Sequence, residues 1–188
     1  MKQILMLIGS ARHDGNTDQL ANAFMEGALQ AGHTIDKVYL NKLHGCLGCQ
    51  QCRYEKPCIQ KDDMQQIYPL LDKADTIVLA SPLYFWTLSA SIKAFIERLY
   101  AVAQKDEHPS LGRYERYPQK DCVLIMSAAD DYFWTFEQAV AYYRFALIQY
   151  IGWKDKGMLL AGGCSEALKE RTLKQCDLQK AYQLGYSL

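Results

Sequence analysis

Three short apolar segments constrain the fold of this chain more than any other feature. They lie within Ile4–Ile8, Thr76–Ser81 and Asp121–Ser127, and each contains four or five consecutive apolar residues. A strand that is covered on both faces has this composition, because neither of its two alternating sets of side chains meets water. Segments with helical spacing separate the three runs. Buried strands joined through helices predict a parallel sheet with helices on both faces.

The remaining segments complete five strand–helix units. Apolar spacing predicts further strands at 34–40 and 156–160, and helices at 17–31, 63–73, 89–104, 134–151 and 166–184. The polar segments 41–61 and 105–119 predict loops. We find no internal repeat and no low-complexity linker, which favours one domain over residues 1–188. In such a sheet, ligands bind outside the carboxyl ends of the strands, where the strand order reverses.

Charge and composition exclude several functional classes. The chain has 188 residues, with 21 basic and 21 acidic side chains, and therefore no net basic charge for binding nucleic acid. No segment approaches the roughly 18 apolar residues of a membrane helix. The seven cysteines and the lack of a signal-peptide pattern predict a cytoplasmic protein without a disulfide framework.

The loop that follows the first strand has the composition of a phosphate-binding loop. It reads Gly-Ser-Ala-Arg-His-Asp-Gly-Asn-Thr over residues 9–17, directly before a predicted helix. Backbone N–H groups, the Ser10 and Thr17 hydroxyls, the Asn16 amide and the Arg12 guanidinium are all suited to a phosphate. The loop lacks the Gly-Lys-Ser/Thr ending of a nucleotide P-loop. An ordinary helix-capping turn is the alternative interpretation.

Two further loops follow strands at the same predicted edge. Residues 82–89 contain Pro82, Leu83, Tyr84 and Phe85, and an apolar wall of this kind suits a flat ring. The loop that begins at Ala128 should complete the same pocket by its position. Ordinary packing or a subunit surface are the alternatives for these aromatic residues.

Four motifs in order resemble the NADPH-dependent FMN reductase-like branch of the flavodoxin superfamily, which includes the iron–sulfur flavoproteins. They are Gly-Ser-x-Arg-x-x-Gly-Asn-Thr at 9–17, Cys-x-x-Cys at 49–52, Ala-Ser-Pro-Leu-Tyr-Phe at 80–85, and Lys-x-Phe-Ile-x-Arg at 93–98. The resemblance covers nearly the whole chain, and it implies a flavodoxin-like three-layer sandwich.

The resemblance also implies FMN as the cofactor. Ser10, Arg12, Asn16 and Thr17 match the family's phosphate loop, and the segment from Pro82 to Phe85 matches the residues beside the isoalloxazine ring. Such proteins take a hydride, usually from NAD(P)H, and pass electrons to quinones, nitro or azo compounds, free flavin or a redox protein. The flavin performs this chemistry, so no catalytic side chain is assigned.

Four cysteines lie within thirteen residues and raise the question of a metal. Cys46, Cys49, Cys52 and Cys58 are soft ligands in one predicted loop, suited to an Fe–S cluster or zinc. The iron–sulfur flavoproteins have a compact set of this kind, so the resemblance allows a [4Fe–4S] cluster. Many relatives without a cluster retain several of these cysteines as a structured loop near the flavin, which is the opposing interpretation. Redox-active thiols and packed free cysteines remain open.

Three functions therefore compete: an NAD(P)H-dependent FMN oxidoreductase, an iron–sulfur flavoprotein that acts as an electron carrier, and an interaction protein without flavin. The 19 Tyr and Phe and three Trp residues exceed what one small core accommodates, and this favours a homodimer or higher homo-oligomer. Lys93 and Arg98 are interpreted as solvated helix residues, and Cys122 as part of the core.

Overall fold

The computed structural model describes residues 1–54, 58–105, 115–164 and 173–188. The main elements, in chain order, are β1 (Gln3–Ile8), α1 (Asn16–Gln30), β2 (Thr34–Tyr39), α2 (Gln51–Tyr54), α3 (Met64–Lys73), β3 (Thr76–Pro82), α4 (Ala90–Glu97), β4 (Gln104–Lys105), β5 (Glu115–Arg116), β6 (Asp121–Ser127), α5 (Glu137–Tyr143), β7 (Lys154–Ala161) and α6 (Gln175–Tyr186).

Five of the strands form one parallel sheet in the order β2-β1-β3-β6-β7. This order confirms the predicted five-stranded parallel sheet and is that of the flavodoxin fold. The chain leaves β1 toward one side of the sheet and returns to pair β3 on the other side, with Leu5 opposite Ile77. The strand order therefore reverses between β1 and β3, and the loops that follow these two strands flank the reversal.

The strands bury both of their faces, as their composition predicts. Along β1, Ile4, Met6 and Ile8 belong to the core shared with α1 and α6. Leu5 and Leu7 belong to the core shared with α3, α4 and α5. The two sets alternate because successive side chains of a strand point to opposite faces. The result is the predicted three-layer sandwich, with α1 and α6 on one face of the sheet and α3, α4 and α5 on the other.

Several predicted elements differ in detail. The helix expected at 89–104 is α-helical only to Glu97, and Arg98–Val102 continue as a 3₁₀-helix. The helix expected at 134–151 begins at Glu137 and continues over Arg144–Tyr150 as a π-helix. The predicted loops contain the single turn α2 and the antiparallel pair β4–β5. Local hydrophobic spacing does not distinguish these helix types, because their apolar faces differ by fractions of a turn.

Gly32 ends α1 as predicted, in the left-handed conformation with φ of +84°. Residues 106–114 of the predicted loop 105–119, and residues 166–172 of the predicted last helix, lie outside the described residues. Across the described ranges, no helix is both long and apolar enough to cross a membrane.

Candidate functional site

The loops after β1 and β3 lie side by side at the carboxyl edge of the sheet. Gly9 donates its N–H to the carbonyl oxygen of Ala80 at 2.8 Å and accepts a hydrogen bond from the Ser91 hydroxyl at 3.4 Å. A Cβ at Gly9 would lie only 2.4 Å from Ser89 Oγ and from Ile92 Cγ1, so glycine allows this close approach. The first loop therefore packs directly on the start of α4.

The N-terminus of α1 faces this edge without a side-chain cap in the described part of the chain. Its N-cap residue, Gly15, has extended backbone angles and no hydroxyl or carboxylate. The first-turn N–H groups of a helix need an acceptor from outside, and they attract anions. Ser10 Oγ accepts the Arg12 N–H at 3.2 Å and so tightens the loop, and the Arg12 side chain is exposed.

Asn16 and Thr17 connect this loop to the other side of the sheet. Asn16 Nδ2 donates to the carbonyl oxygen of Cys164 at 3.2 Å. The Thr17 hydroxyl, which is buried, lies 2.7 Å from the Ser127 hydroxyl. These contacts join α1 to the ends of β6 and β7. The role of Ser10, Arg12, Asn16 and Thr17 as phosphate ligands stays a prediction.

The second loop is a tight turn with backbone strain. Tyr84 and Thr87 exchange two backbone hydrogen bonds of 3.1 Å, and the residues between them, Phe85 and Trp86, have φ of +46° and +59°. Bulky residues rarely adopt positive φ, and such strain concentrates at binding sites. Leu83 donates its N–H to the Ser127 carbonyl oxygen at 2.8 Å and fixes the turn beside the third loop.

Aromatic side chains connect the second and third loops. The Trp86 and Trp134 rings lie 5.8 Å apart, and Tyr132 stacks on Trp134 at 5.3 Å. Phe85 and Phe133 are more than nine-tenths exposed. Ala128 is buried at the start of the third loop, where its N–H binds the Ala161 carbonyl oxygen at 2.9 Å. We call the six residues Tyr84, Phe85, Trp86, Tyr132, Phe133 and Trp134 the aromatic rim.

The four-cysteine loop follows β2 and reaches the same end of the sheet. All seven cysteines of the chain are free thiols. Cys46 and Cys49 are exposed, while Cys52 and Cys58 are partly buried. Burial raises the pKa of Cys52 above its usual value, and electrostatic interactions with Cys58, Cys46 and Cys49 raise it further. In the part of the chain that the structure describes, however, no three His, Cys, Asp or Glu side chains converge closely enough to hold a metal ion.

A buried ion pair holds both ends of this loop, and sequence reasoning missed it. Arg98, interpreted as a solvated residue, is instead buried, and its guanidinium binds both carboxylate oxygens of Asp62 at 2.8 and 3.1 Å. Arg98 also donates to the carbonyl oxygen of His44, whose N–H binds Asp62 at 3.2 Å. Arg98 follows Phe95 by three positions, a spacing that places it beside the apolar face of the helix.

The charges of this pair are stabilised in the folded protein. Burial alone would raise the pKa of Asp62, but hydrogen bonds from Arg98, the His44 N–H and the Met64 N–H lower it below its usual value. Burial opposes the charge of Arg98, and its bonds to Asp62 raise its pKa. One donor remains unused: Nε of Arg98 is buried and finds no hydrogen-bond partner within the described residues.

A second buried network joins α1 to β2 next to the loop that follows β1, and it was not predicted from the sequence. The carboxylate of Asp18 is bound by Lys37 Nζ at 2.6 Å and by the Tyr39 hydroxyl at 2.9 Å. Lys37 and Tyr39 lie two positions apart on β2, and residues with this spacing share one face of a strand. The position of Lys37 and Tyr39 on one face of β2 is the sequence feature that could have indicated this network.

The resemblance implies FMN as a cofactor and allows an Fe–S cluster as a second one. The site residues fit FMN more completely than they fit the cluster. A helix N-terminus that no described side chain caps, the adjacent Arg12 and a strained turn of exposed aromatic residues fit a phosphate-bearing flat ring. The four thiolate-forming residues fit an Fe–S cluster by their chemistry. Their described side chains do not form a completed ligand set.

Comparison with known proteins places these features in a family. Residues 2–115 match the family model described as NADPH-dependent FMN reductase. An iron–sulfur flavoprotein from Archaeoglobus fulgidus is 33% identical over 111 residues, which cover 57% of this chain and 49% of that protein. The match thus spans about half the length of such curated relatives.

Solved structures agree on the fold. The NAD(P)H:quinone oxidoreductase from Methanothermobacter marburgensis superimposes with a TM-score of 0.74 over 98% of both chains, at 16% identity. An FMN-dependent NADH-azoreductase from Bacillus anthracis, solved with FMN, gives a TM-score of 0.60 at 14% identity and covers 100% of this chain and 97% of that one. From the match of its residues 2–115, the chain belongs to the NADPH-dependent FMN reductase family.

Proposed function

We propose that this protein binds FMN at the carboxyl edge of its sheet and acts as an FMN-dependent oxidoreductase. One observation supports this most strongly. The N-terminus of α1, which has no side-chain cap among the described residues, and the strained turn at Tyr84–Thr87 flank the point where the strand order reverses. Parallel α/β sheets bind their ligands at this point. Family membership and the FMN complex of the azoreductase support the choice of flavin.

Each loop has a separate task in this proposal. Ser10, Arg12, Asn16, Thr17 and the first-turn N–H groups of α1 bind the phosphate, and the contact between the Thr17 and Ser127 hydroxyls holds the loop against β6. The segment from Pro82 to Phe85 lies along the ring and, with the aromatic rim, excludes water from one side. Bound FMN supplies the hydride-accepting and electron-donating chemistry. The protein orients the ring and sets its surroundings.

The phosphate site is tested by one amide-to-carboxylate change. Asn16→Asp places a negative charge at the phosphate position, and we expect it to weaken FMN binding by about tenfold or more. Gln30→Glu makes the same change at the other end of α1, about 20 Å away, and serves as the matched control. Quenching of flavin fluorescence measures both affinities. A wild-type protein that binds no added FMN, or equal affinities in the two variants, would contradict the proposal.

We further propose NAD(P)H as the electron donor and a quinone, nitro or azo compound, free flavin or redox protein as the acceptor. The family description and the quinone oxidoreductase fold support this reaction class. The free thiols support a reducing compartment, the cytoplasm. Anaerobic mixing with NADH and then with NADPH, followed by flavin absorbance, identifies the preferred donor.

An iron–sulfur flavoprotein is the second candidate function. The four thiols lie within thirteen residues of one loop, and a curated relative with this name matches more than half of the chain. In this function, Cys46, Cys49, Cys52 and Cys58 hold a [4Fe–4S] cluster, and electrons leave through it to a redox partner.

Metal content decides between the two functions. If the cluster exists, protein purified under strict anaerobic conditions should contain iron and sulfide, and Cys52→Ala should lose both while retaining FMN. Cys176→Ala, which changes an exposed thiol on α6, is the matched control and should retain both. Iron-free wild-type protein from an anaerobic preparation argues for the first function.

We also propose a homodimer in which the aromatic rim meets a second copy. Phe85 is 93% exposed and Phe133 92% exposed, and large exposed aromatic side chains are enriched at subunit interfaces. The neighbouring subunit would then cover the outer side of the flavin ring. Sedimentation at micromolar concentration should give the mass of two chains. A monomer at that concentration contradicts this arrangement.

A further inference from the structure

We propose that Lys37 determines the affinity of the first loop for a phosphate group by neutralising the buried carboxylate of Asp18. This inference rests on the proposed FMN site and concerns two residues that are outside the predicted ligand set. Asp18 lies in the first turn of α1, one residue after Thr17, and its side chain is 2% exposed. A carboxylate in this position is close to any anion bound at the helix N-terminus.

Asp18 fixes the shape of the phosphate loop. One of its oxygens accepts the backbone N–H of Asp14 at 2.9 Å. Asp14 has φ of +60°, a left-handed conformation that needs support in a residue other than glycine. Gln19 supplies further support, because its amide donates to the Asp14 carbonyl oxygen at 2.7 Å. The His13 ring packs on the Tyr39 ring at 4.3 Å and completes the attachment to β2.

The carboxylate has an electrostatic cost for the same site. Left unneutralised, a buried negative charge in the first turn of α1 repels an incoming phosphate, since solvent poorly screens a side chain that is only 2% exposed. A loop that uses a carboxylate for its shape therefore needs a nearby positive charge if it is to bind an anion.

Lys37 provides this charge. Its ammonium lies 2.6 Å from Asp18 Oδ1 and 2.7 Å from Asn22 Oδ1, so two oxygens hold it in place. The Tyr39 hydroxyl donates to both oxygens of Asp18, and the ammonium also lies over the Tyr39 ring at 5.0 Å. Burial opposes both charges, but their hydrogen bonds lower the pKa of Asp18 and raise that of Lys37. The pair is therefore fully ionised and neutral overall at physiological pH.

Two flavins that differ only in the phosphate separate this electrostatic role from a structural one. Lys37→Met leaves the Asp18 charge unneutralised, and we expect FMN affinity to fall by about tenfold while riboflavin affinity changes less than about twofold. Lys37→Arg keeps the charge and should bind both flavins as the wild type does.

A second change should reverse the effect of the first. Asp18→Asn combined with Lys37→Met removes both charges and keeps an oxygen for the Asp14 N–H, so FMN affinity should return to within about threefold of wild type. Asp18→Asn alone leaves Lys37 positive and should bind FMN at least as tightly as wild type. This single variant tests the inference even if Lys37→Met does not fold.

Three results overturn the inference. They are unchanged FMN affinity in Lys37→Met, an equal loss of riboflavin and FMN affinity in that variant, and weaker FMN binding in Asp18→Asn with riboflavin binding intact. Failure of the proposed function looks different, because the wild-type protein would then bind neither flavin.

Discussion

Asp62→Ala is expected to lower the free energy of unfolding by about 3–5 kcal/mol at neutral pH. The reason is the environment of Arg98, whose side chain is only 1% exposed and receives its charge compensation from Asp62. Without the carboxylate, a guanidinium remains buried and unneutralised. The His44 and Met64 N–H groups lose their acceptor as well. Urea unfolding followed by circular dichroism measures the change.

Asp63→Ala is the matched control for this substitution. Asp63 is the next residue and makes no capping hydrogen bond to α3 within the described residues. We expect its replacement to cost less than about 1 kcal/mol, as most substitutions away from special contacts do. Similar losses in the two variants would show that the buried pair contributes nothing specific.

The same pair predicts a pH dependence with a definite sign. The folded-state pKa of Asp62 lies below the usual aspartate value of 3.8. The stability it contributes is therefore complete above that usual value and is lost as the pH falls through the lower folded-state pKa. The difference between wild type and Asp62→Ala should be constant at neutral pH and shrink only in this acid range.

Gly185→Ala is expected to destabilise the protein by about 3 kcal/mol, although alanine is the better helix former. A Cβ at Gly185 would lie 2.0 Å from the carbonyl oxygen of Phe24, and a Cβ at Gly27 would lie 2.0 Å from that of Tyr182. These contacts are with backbone atoms, which cannot rotate aside, so α1 and α6 must separate. Helix propensity alone predicts stabilisation by up to about 1 kcal/mol. A measured destabilisation therefore shows that the steric clash outweighs the gain in helix propensity.

Gly27 provides a second test of the same contact between α1 and α6. Gly27→Ala should cost about the same as Gly185→Ala. The double variant should cost less than the sum of the two, because one separation of the helices relieves both clashes. Gly32→Ala is the control: apart from its chain neighbours, none of the described residues has an atom within 4 Å of the Gly32 Cβ position, and its φ of +84° opposes the change. We expect Gly32→Ala to cost about 1 kcal/mol. Additive losses at Gly27 and Gly185 would contradict a shared contact.

The large-scale fold was predictable because its signals are local. Each apolar run of a central strand is buried on both faces whatever its neighbours are, so composition alone identified β1, β3 and β6. Helices between such strands allow few topologies, and the predicted sheet followed from that restriction. The 3₁₀ and π segments after α4 and α5 escaped prediction, since they depend on how each helix end packs.

The two buried ion pairs show where sequence reasoning failed. Arg98 was interpreted as solvated because arginine usually is, and its partner Asp62 lies 36 positions away. Asp18 and Lys37 are 19 positions apart and belong to different elements. No spacing rule connects such residues, because only the tertiary packing of separate elements brings them together.

The sequence by itself determined the parallel sheet, the two loops that follow β1 and β3, and the four-cysteine segment, because each is a property of consecutive residues. Only the tertiary structure decided which charges are buried and paired, how Asp14, Phe85 and Trp86 are held at positive φ, and which surfaces of α1 and α6 touch. The physical reason is that desolvation and steric contact depend on every neighbour in space, and most of those neighbours are distant in the chain.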